Sequence, residues 1–164
     1  MRAFGLLKEH DGISHKLLIV GADQPGHSSF RKVIAELALE KEVCVLGYAN
    51  HQQMRLIYNA ADVLVYPSSY EGFGMPVLEG MACGTPVITL NNRAFPEFAD
   101  GVAHLIKDAA VPTLRAEILA LLRDQEWRNQ MRAEGPKRAA SYDWRFVTKR
   151  YLDLMIPLAT KLHG

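Results

Sequence analysis

The feature that most restricts the fold of this chain is a buried apolar strand that leads through a glycine-rich turn into a helix. Residues 63 to 65 are apolar, and apolar residues at helical spacing follow the turn from Pro76 onwards. Gly72 and Gly74 permit positive φ angles, and Pro76 fits the first helical position, where its missing N–H costs nothing. The stretch therefore predicts backbone N–H groups at a helix N-terminus, a favourable place for a bound anion.

The same order of strand and helix recurs along the first two thirds of the chain. Short apolar runs lie near residues 16–20, 43–47, 63–66, 86–89 and 103–106, and helical patterns lie near 28–39, 50–60 and 76–83. This βαβ rhythm predicts an α/β fold with a Rossmann-like parallel sheet of about five strands and helices on both faces. Asn50 is the expected N-cap of the second of these helices, and Gly84 the expected left-handed end of the third.

The C-terminal part of the chain, about residues 110–164, is predicted to be helical. Its first helix has one apolar face, formed by Leu114, Ile118, Leu121 and Leu122. A second helix is expected from about Gln125, with an interruption near Gly135 and Pro136, and a third from Asp143, with a kink at Pro157. Because 164 residues suffice for one core, we predict a single domain over residues 1–164.

Two carboxylates flank the glycine-rich turn. Glu71 precedes the turn, and Glu79 lies one turn into the predicted helix. A carboxylate can accept hydrogen bonds from two neighbouring sugar hydroxyls, so the spacing suits two diols separated by a diphosphate, as in a nucleotide sugar. A simpler interpretation stays open for each residue, because Glu79 would also interact favourably with the helix dipole and Glu71 would also suit a solvated loop.

The whole run from Tyr66 to Ile88 resembles the signature of retaining glycosyltransferases with two Rossmann-like domains (the GT-B fold), the large group called family 4, with its E-x7-E pair of glutamates. Other landmarks follow in the family's order. Residues 17–21 and 43–47 look like its second and third strands, and residues 57–62 look like the helix end before the signature. After the signature, residues 85–88 look like the next strand, Pro96 and Glu97 look like the acidic element, and residues 142–144 look like the start of the C-terminal helix.

The resemblance implies a donor-binding domain that serves retaining transfer of a hexose from a UDP-, GDP- or ADP-sugar to a glycan, lipid or other acceptor, as in polysaccharide biosynthesis. In this interpretation Glu71 contacts hexose hydroxyls as the catalytic residue, and Glu79 holds the ribose. The amides of the turn contact the diphosphate and sugar, namely those of Gly72, Phe73, Gly74 and Met75, with Val77 because Pro76 lacks an N–H. The family requires no divalent metal, and no cofactor is expected.

Further donor contacts are expected beyond the two glutamates and the amides of the turn. The resemblance places the nucleobase beside the loop after the third strand, which implicates Tyr48, Ala49 and Asn50 together with the preceding glycine. Gly21 matches a position where the family's backbone passes close to the donor, although a glycine after a strand is equally often a simple turn. Ser68 either hydrogen-bonds the donor or ties its own loop.

The resemblance also implies that parts of the enzyme are missing. In the family a first strand and a loop with an arginine and a lysine precede a helix similar to residues 3–9, and an acceptor-binding domain precedes the whole unit. We therefore expect an N-terminally truncated GT-B C-terminal domain that is inactive alone, either a fragment or the donor-binding subunit of a split enzyme. A non-catalytic binding module that keeps the fold is the alternative.

The missing first strand has a structural consequence. Residues 17–20 and 63–66 should either pair directly in a contracted sheet or receive a strand from a longer polypeptide or another chain, a second copy included. The apolar residues Tyr151, Leu154 and Met155 of the last helix are expected to be partly exposed where the absent domain would pack.

Composition and residue spacing argue against several classes of function. The chain has 19 basic and 18 acidic residues, a net charge of +1 and no Lys/Arg block, so nucleic acid is not expected as a partner. Residues 21–26 lack the G-x-G-x-x-G turn of a dinucleotide-dependent oxidoreductase. The six histidines have no metal-ligand spacing. No segment resembles a signal peptide or a membrane span, which favours a cytoplasmic protein, with peripheral contact at the inner face of the membrane left open.

Four side chains are assigned structural positions. Cys44 and Cys83 are flanked by apolar residues and are expected to be buried free thiols. Trp127 and Trp144 stand among apolar residues at helical spacing and are expected to pack in the core.

Overall fold

The computed structural model describes residues 1–21, 30–92 and 94–162, with side chains to residue 158. Helices and strands alternate through most of these ranges. In chain order they are α1 (Arg2–His10), β1 (Leu17–Val20), α2 (Phe30–Glu36), β2 (Val43–Gly47), α3 (His51–Ala60), β3 (Leu64–Tyr66), α4 (Met75–Ala82), β4 (Val87–Leu90), α5 (Phe95–Ala99), β5 (His104–Ile106), α6 (Val111–Arg123), α7 (Gln125–Ala140) and α8 (Trp144–Leu162).

The five predicted strands are all present, each within one residue of its expected ends. Every pairing between neighbouring strands is parallel, which confirms the α/β fold. The strands do not form one continuous ladder, however: β1 pairs with β2, and β3, β4 and β5 form a separate sheet in that order. The predicted direct pairing of β1 with β3 in a contracted sheet is therefore wrong. Within the described residues, β1 and β3 each keep one unpaired edge.

β4 is the central strand of the three-stranded sheet, and all four of its residues are buried. Alternate residues point to opposite faces of a strand, so β4 contributes to two cores. Val87 lies in one core with α4 and α5, through residues that include Val77, Met81, Phe95 and Phe98. Ile88 and Leu90 lie in the other, with Ile106, Leu121 and Met131. A third, smaller core under β1 and β2 contains Phe4, Ile34 and Leu39.

The two sheets are joined through α1 and α6. Arg115 of α6 donates two hydrogen bonds to the carboxylate of Asp11, from Nε at 2.7 Å and from Nη2 at 3.1 Å. Asp11 caps the C-terminal end of α1. This pair holds the pKa of Asp11 below its ordinary value, first through the hydrogen bond from Arg115. A bidentate pair of this kind fixes orientation as well as distance.

The predicted helix ends are confirmed at α3 and α4. Asn50 forms a capping box with Gln53, in which each side chain accepts from the other residue's backbone N–H, at 3.0 and 2.9 Å. Gly84 has φ +72° and donates to the carbonyl of Met81 at 2.9 Å, while Thr85 donates to that of Gly80 at 2.9 Å. These two bonds form the Schellman motif that ends a helix in the left-handed region.

The predicted interruption of α7 is wrong. The helix runs through Gly135 and Pro136 to Ala140. Pro157 lies within α8, and the kink expected there stays a prediction. Gly135 lets α7 pack closely on α4, because a Cβ atom there would lie 2.9 Å from the carbonyl oxygen of Met81. The backbones of α7 and α4 thus meet at this residue, and their packing compensates for the hydrogen bond that Pro136 removes.

The expectations for exposed and buried side chains have mixed outcomes. Tyr151, Leu154 and Met155 are exposed, as predicted, with 64%, 68% and 61% of their surface accessible. Trp144 is also exposed, so its assignment to the core is wrong, because it begins the same uncovered helix. Trp127 is half-buried and packs against the second core.

The two cysteines are free, as predicted, but only partly buried. Cys83 is half-buried, and Cys44 is exposed, so the burial expected for Cys44 is wrong. The alternation of β2 explains the exposure, because Cys44 shares its outward face with Leu46, which is also exposed.

Candidate functional site

The glycine-rich turn ends in Gly74, the N-cap of α4. Gly74 has φ +92°, as expected, and a Cβ atom there would lie 2.3 Å from Cε1 of Phe95. The position therefore excludes other residues both by its backbone angle and by its neighbour. Gly72 does not have a positive φ, so Gly74 is the glycine of this turn that uses the freedom. Pro76 is the second residue of α4 rather than the first, and it still lies in the first turn, where its missing N–H is harmless.

The amides at the start of α4 are the free donors of the site. The N–H of Val77 donates to the carbonyl of Gly74 at 3.0 Å and is thereby used within the helix. The N–H groups of Phe73, Gly74 and Met75 have no protein acceptor in the described part of the chain. Three adjacent unpaired donors at the positive end of a helix dipole form a site for an anionic group.

Glu71 is held by a tyrosine of the sheet. The hydroxyl of Tyr66, the last residue of β3, donates to Oε1 of Glu71 at 2.6 Å. This hydrogen bond, followed by the influence of the nearby Ser68 hydroxyl, holds the pKa of Glu71 below its ordinary value, so the carboxyl is ionised at neutral pH. Burial, together with the bond to Glu71, raises the pKa of Tyr66 to about 12, so its hydroxyl keeps its proton.

Glu79 is also held by a tyrosine hydroxyl, in this case from helix α3. The hydroxyl of Tyr58, in the last turns of α3, donates to Oε2 of Glu79 at 3.1 Å. Tyr58 is buried, and burial is the first cause that raises the pKa of its hydroxyl, followed by the charge of Glu79. The two predicted carboxylates, one before α4 and one within it, are therefore each held by a tyrosine hydroxyl.

The turn between the glutamates is anchored by aromatic contacts. The ring of Phe73 stacks on Phe98 of α5, with centroids 5.0 Å apart and planes at 12°, and lies 6.0 Å from Tyr142. Asn92 donates to the carbonyl of Ser69 at 3.2 Å, and Ser68 donates to that of Tyr70 at 3.3 Å. Ser68 thus ties its own loop, one of its two expected roles.

The predicted nucleobase loop follows β2 and adjoins Gly21 at the end of β1. The N–H of Gly21 donates to the carbonyl of Gly47 at 2.8 Å. Beyond Gly47, Tyr48 is 84% exposed and Ala49 half-buried. Asn50 follows and uses its side chain to cap α3, the helix whose Tyr58 reaches Glu79. α3 therefore connects the predicted base loop to the predicted ribose residue.

Sequence reasoning did not assign a role to either tyrosine. Tyr66 was included in the signature run, and its place at the end of a strand that leads to Glu71 was the available signal. Tyr58 and Glu79 are 21 residues apart on different helices. No local pattern indicates that contact.

Neither a metal centre nor a membrane-spanning helix is found in the described parts of the chain. Residues 1–21, 30–92 and 94–162 contain no group of three or more His, Cys, Asp or Glu side chains placed to hold a metal ion. Across those ranges, no helix combines the length and apolar character required to cross a membrane.

Comparison with known proteins identifies relatives for most of the chain. Residues 1–138 match the family model of the Glycosyl transferases group 1. The chain is 32% identical over 154 residues to the O-antigen chain mannosyltransferase B of Escherichia coli, an alignment that covers 93% of this chain and 40% of that protein. It is 31% identical over 161 residues to the D-inositol 3-phosphate glycosyltransferase of Corynebacterium urealyticum, which covers 94% of this chain and 38% of the relative.

The fold is also found among solved structures. Sucrose-phosphate synthase from Thermosynechococcus elongatus superposes with a TM-score of 0.80 at 27% identity, over 97% of this chain and 42% of that one. The chain thus spans less than half the length of each of these three proteins, at 40%, 38% and 42%.

Proposed function

Because the chain belongs to the family of group 1 glycosyl transferases, we propose that it binds the donor of such an enzyme, a nucleoside-diphosphate sugar used for retaining hexosyl transfer. The observation that carries the proposal is the arrangement around the start of α4. Three unpaired amides lie between two glutamates, each of which is held by a tyrosine. An anionic group with a diol on either side is the chemistry that this arrangement suits.

The amides of Phe73, Gly74 and Met75 are proposed to bind the diphosphate. Each hydrogen bond to a charged group contributes about 1.5–3 kcal/mol. As the bond to the sugar breaks, negative charge grows on the leaving nucleoside diphosphate, and donors that are already oriented stabilise it without reorganisation. The stacking of Phe73 on Phe98 fixes the first of these donors in advance.

The two glutamates are proposed to take the two sugars of the donor. Glu79, inside α4, would accept hydrogen bonds from the ribose hydroxyls, and Glu71, before the helix, from the hexose hydroxyls. Each carboxylate has about four acceptor positions, and a tyrosine uses one of them. Enough capacity remains on each residue for a diol.

The rest of the enzyme is proposed to lie outside this chain. The two relatives are named for different acceptors, an O-antigen chain and an inositol phosphate. We propose that acceptor recognition and further diphosphate contacts come from another domain or chain, that the full enzyme works in the cytoplasm without a metal, and that this chain alone binds a nucleoside diphosphate weakly and transfers no sugar. Two missing charge-assisted contacts would lower affinity by about two orders of magnitude or more.

Calorimetric titration of the chain with UDP, GDP and ADP, and with UDP-glucose, GDP-mannose and ADP-glucose, tests the proposal. We expect weak binding of one nucleotide and its conjugate, without transfer to water or to a glycan. Glu126→Gln is the matched control, because Glu126 is an exposed glutamate of α7 outside the site. Binding of none of the six ligands would contradict donor binding, and robust transfer by the isolated chain would contradict the need for a second part.

A further inference from the structure

We propose that Tyr66 and Tyr58 are positioning residues that orient the carboxylates of Glu71 and Glu79 for the two sugars of the donor. The inference rests on the proposed function and adds to it two residues that touch the glutamates rather than the ligand. Its basis is a geometry that occurs twice: a rigid tyrosine whose hydroxyl donates to a carboxylate on the binding surface.

Glu71 requires an external support because it belongs to no helix or strand. It lies in the irregular segment between β3 and α4, where a free glutamate side chain would sample several rotamers. Tyr66, in contrast, is fixed. Its backbone pairs with Thr89 in the sheet, its carbonyl accepts from Oγ1 of Thr89 at 2.9 Å, and its ring meets Phe95 edge-on at 6.3 Å. The 2.6 Å hydrogen bond from this fixed hydroxyl restrains the carboxylate of Glu71.

Tyr58 is fixed by a second threonine. Its carbonyl accepts from Oγ1 of Thr85 at 2.7 Å, and its side chain is only 4% exposed. Among the described residues, Thr85 and Thr89 are the two buried polar ones, and each holds the backbone of one tyrosine. At both glutamates, therefore, a threonine hydroxyl holds the backbone of a tyrosine, and the hydroxyl of that tyrosine holds the carboxylate. This repetition distinguishes the arrangement from an isolated surface hydrogen bond.

The orientation leaves the remaining acceptor positions available. Tyr66 occupies one position on Oε1 of Glu71, and Tyr58 one on Oε2 of Glu79. The remaining lone pairs of each carboxylate can accept from sugar hydroxyls. The bond from Tyr66 also keeps the carboxyl of Glu71 ionised, since it is the first cause that holds the pKa of Glu71 below its ordinary value. A carboxylate already oriented and charged loses less freedom when the sugar binds.

The test compares Tyr58→Phe and Tyr66→Phe, which each remove one hydroxyl and keep the ring. Each variant is titrated with the best-bound of UDP, GDP and ADP and with its hexose conjugate. We expect Tyr58→Phe to weaken both ligands equally, by about threefold to tenfold, and Tyr66→Phe to weaken only the conjugate by that factor. Tyr151→Phe, which removes a hydroxyl from the exposed helix α8, is the matched control and should change neither affinity.

A second measurement does not depend on any ligand. NMR titration of the carboxyl carbons should show that the pKa of Glu71 rises toward its ordinary value in Tyr66→Phe, because the first cause of its lowering is lost. Tyr58→Phe should leave it unchanged. A purely structural role for Tyr66 would predict a lower thermal stability without the selective loss of the conjugate.

The outcomes separate the two proposals. If the unmodified chain binds a nucleotide and its conjugate but both tyrosine variants bind them equally well, the positioning role is wrong and donor binding stands. Equal losses for both ligands in both variants, in step with their thermal stability, would also overturn the positioning role. If the unmodified chain binds none of the ligands, donor binding is wrong and the positioning role falls with it.

Discussion

At the scale of single residues, the site depends on a few positions where the surrounding atoms allow only one residue type. Gly74 is the clearest, since it combines a left-handed backbone with the ring of Phe95 at the place of a side chain. The sequence predicted this glycine because it follows from local turn chemistry. The sequence did not predict Tyr58 as the partner of Glu79, because only the packing of α3 beside α4 brings them together.

Gly74→Ala should destabilise the protein by roughly 2–4 kcal/mol, the sum of left-handed strain and overpacking. The added methyl group would lie 2.3 Å from Cε1 of Phe95, so the ring or the turn must move. Gly72→Ala is the control, because Gly72 has no positive φ and open space around its Cβ position. Urea unfolding of both variants measures the difference, and equal midpoints would contradict the assigned constraint.

The two glutamates should be distinguishable by ligand. Glu79→Gln is expected to weaken a bare nucleoside diphosphate and its hexose conjugate alike, because both contain the ribose. Glu71→Gln is expected to weaken the conjugate alone, since only the conjugate has hexose hydroxyls. Calorimetry with both ligands checks this, and a loss of bare nucleotide binding in Glu71→Gln would reverse the assignment of roles.

The pH dependence of conjugate binding should follow the ionisation of Glu71. Its pKa lies below the ordinary value of 4.5, first through the bond from Tyr66. The carboxylate is therefore ionised above that ordinary value, and its contribution is lost only as the pH falls through the lowered pKa. In Tyr66→Phe the loss should begin at a higher pH. Titration of one conjugate against both proteins cancels the ligand's own ionisation, and coincident profiles would contradict the expectation.

At the scale of helices and strands, the sequence predicted the elements well and their contacts poorly. The strands were found within one residue because apolar runs bounded by turns are local signals. The interruption of α7 was wrong because the effect of Pro136 was judged without its partner α4. Cys44 was placed inside because its neighbours are apolar, whereas strand alternation turns it outward. The first error concerns tertiary packing, whereas the second concerns the alternation of side chains along a single strand.

Gly135→Ala should destabilise the protein by about 1–3 kcal/mol, because the added methyl group would press on the backbone of α4. The contacted atom is the carbonyl oxygen of Met81, which cannot move without separating the two helices. Gly5→Ala, also within a helix, should instead stabilise by about 0.5–1 kcal/mol, since Gly is unfavourable in a helix. The Cβ position of Gly5 meets only Leu39 and Leu37, at 3.6 and 3.8 Å. Thermal unfolding of both variants tests the opposite signs.

At the scale of the whole molecule, the two separate sheets are the main departure from a continuous Rossmann-like sheet. β1 and β3 each have one edge without a partner in the described chain, whereas β4 is paired on both sides. An unpaired edge is a template for another strand. The apolar residues of α8 are likewise uncovered in the described part of the chain.

The last prediction is that a strand from outside the described residues completes the sheet between β1 and β3. Hydrogen exchange of the chain alone should then show strong protection throughout β4 and weaker protection for the outward-facing amides of β1 and β3, because an unpaired amide exchanges from the native state. Protection of these amides that increases with protein concentration would identify a second copy as the source of the strand. Protection that appears only in a longer polypeptide would identify that polypeptide as the source. Full protection of β1 and β3 in a dilute monomer would show that the two strands are paired within this chain, and the prediction would be wrong.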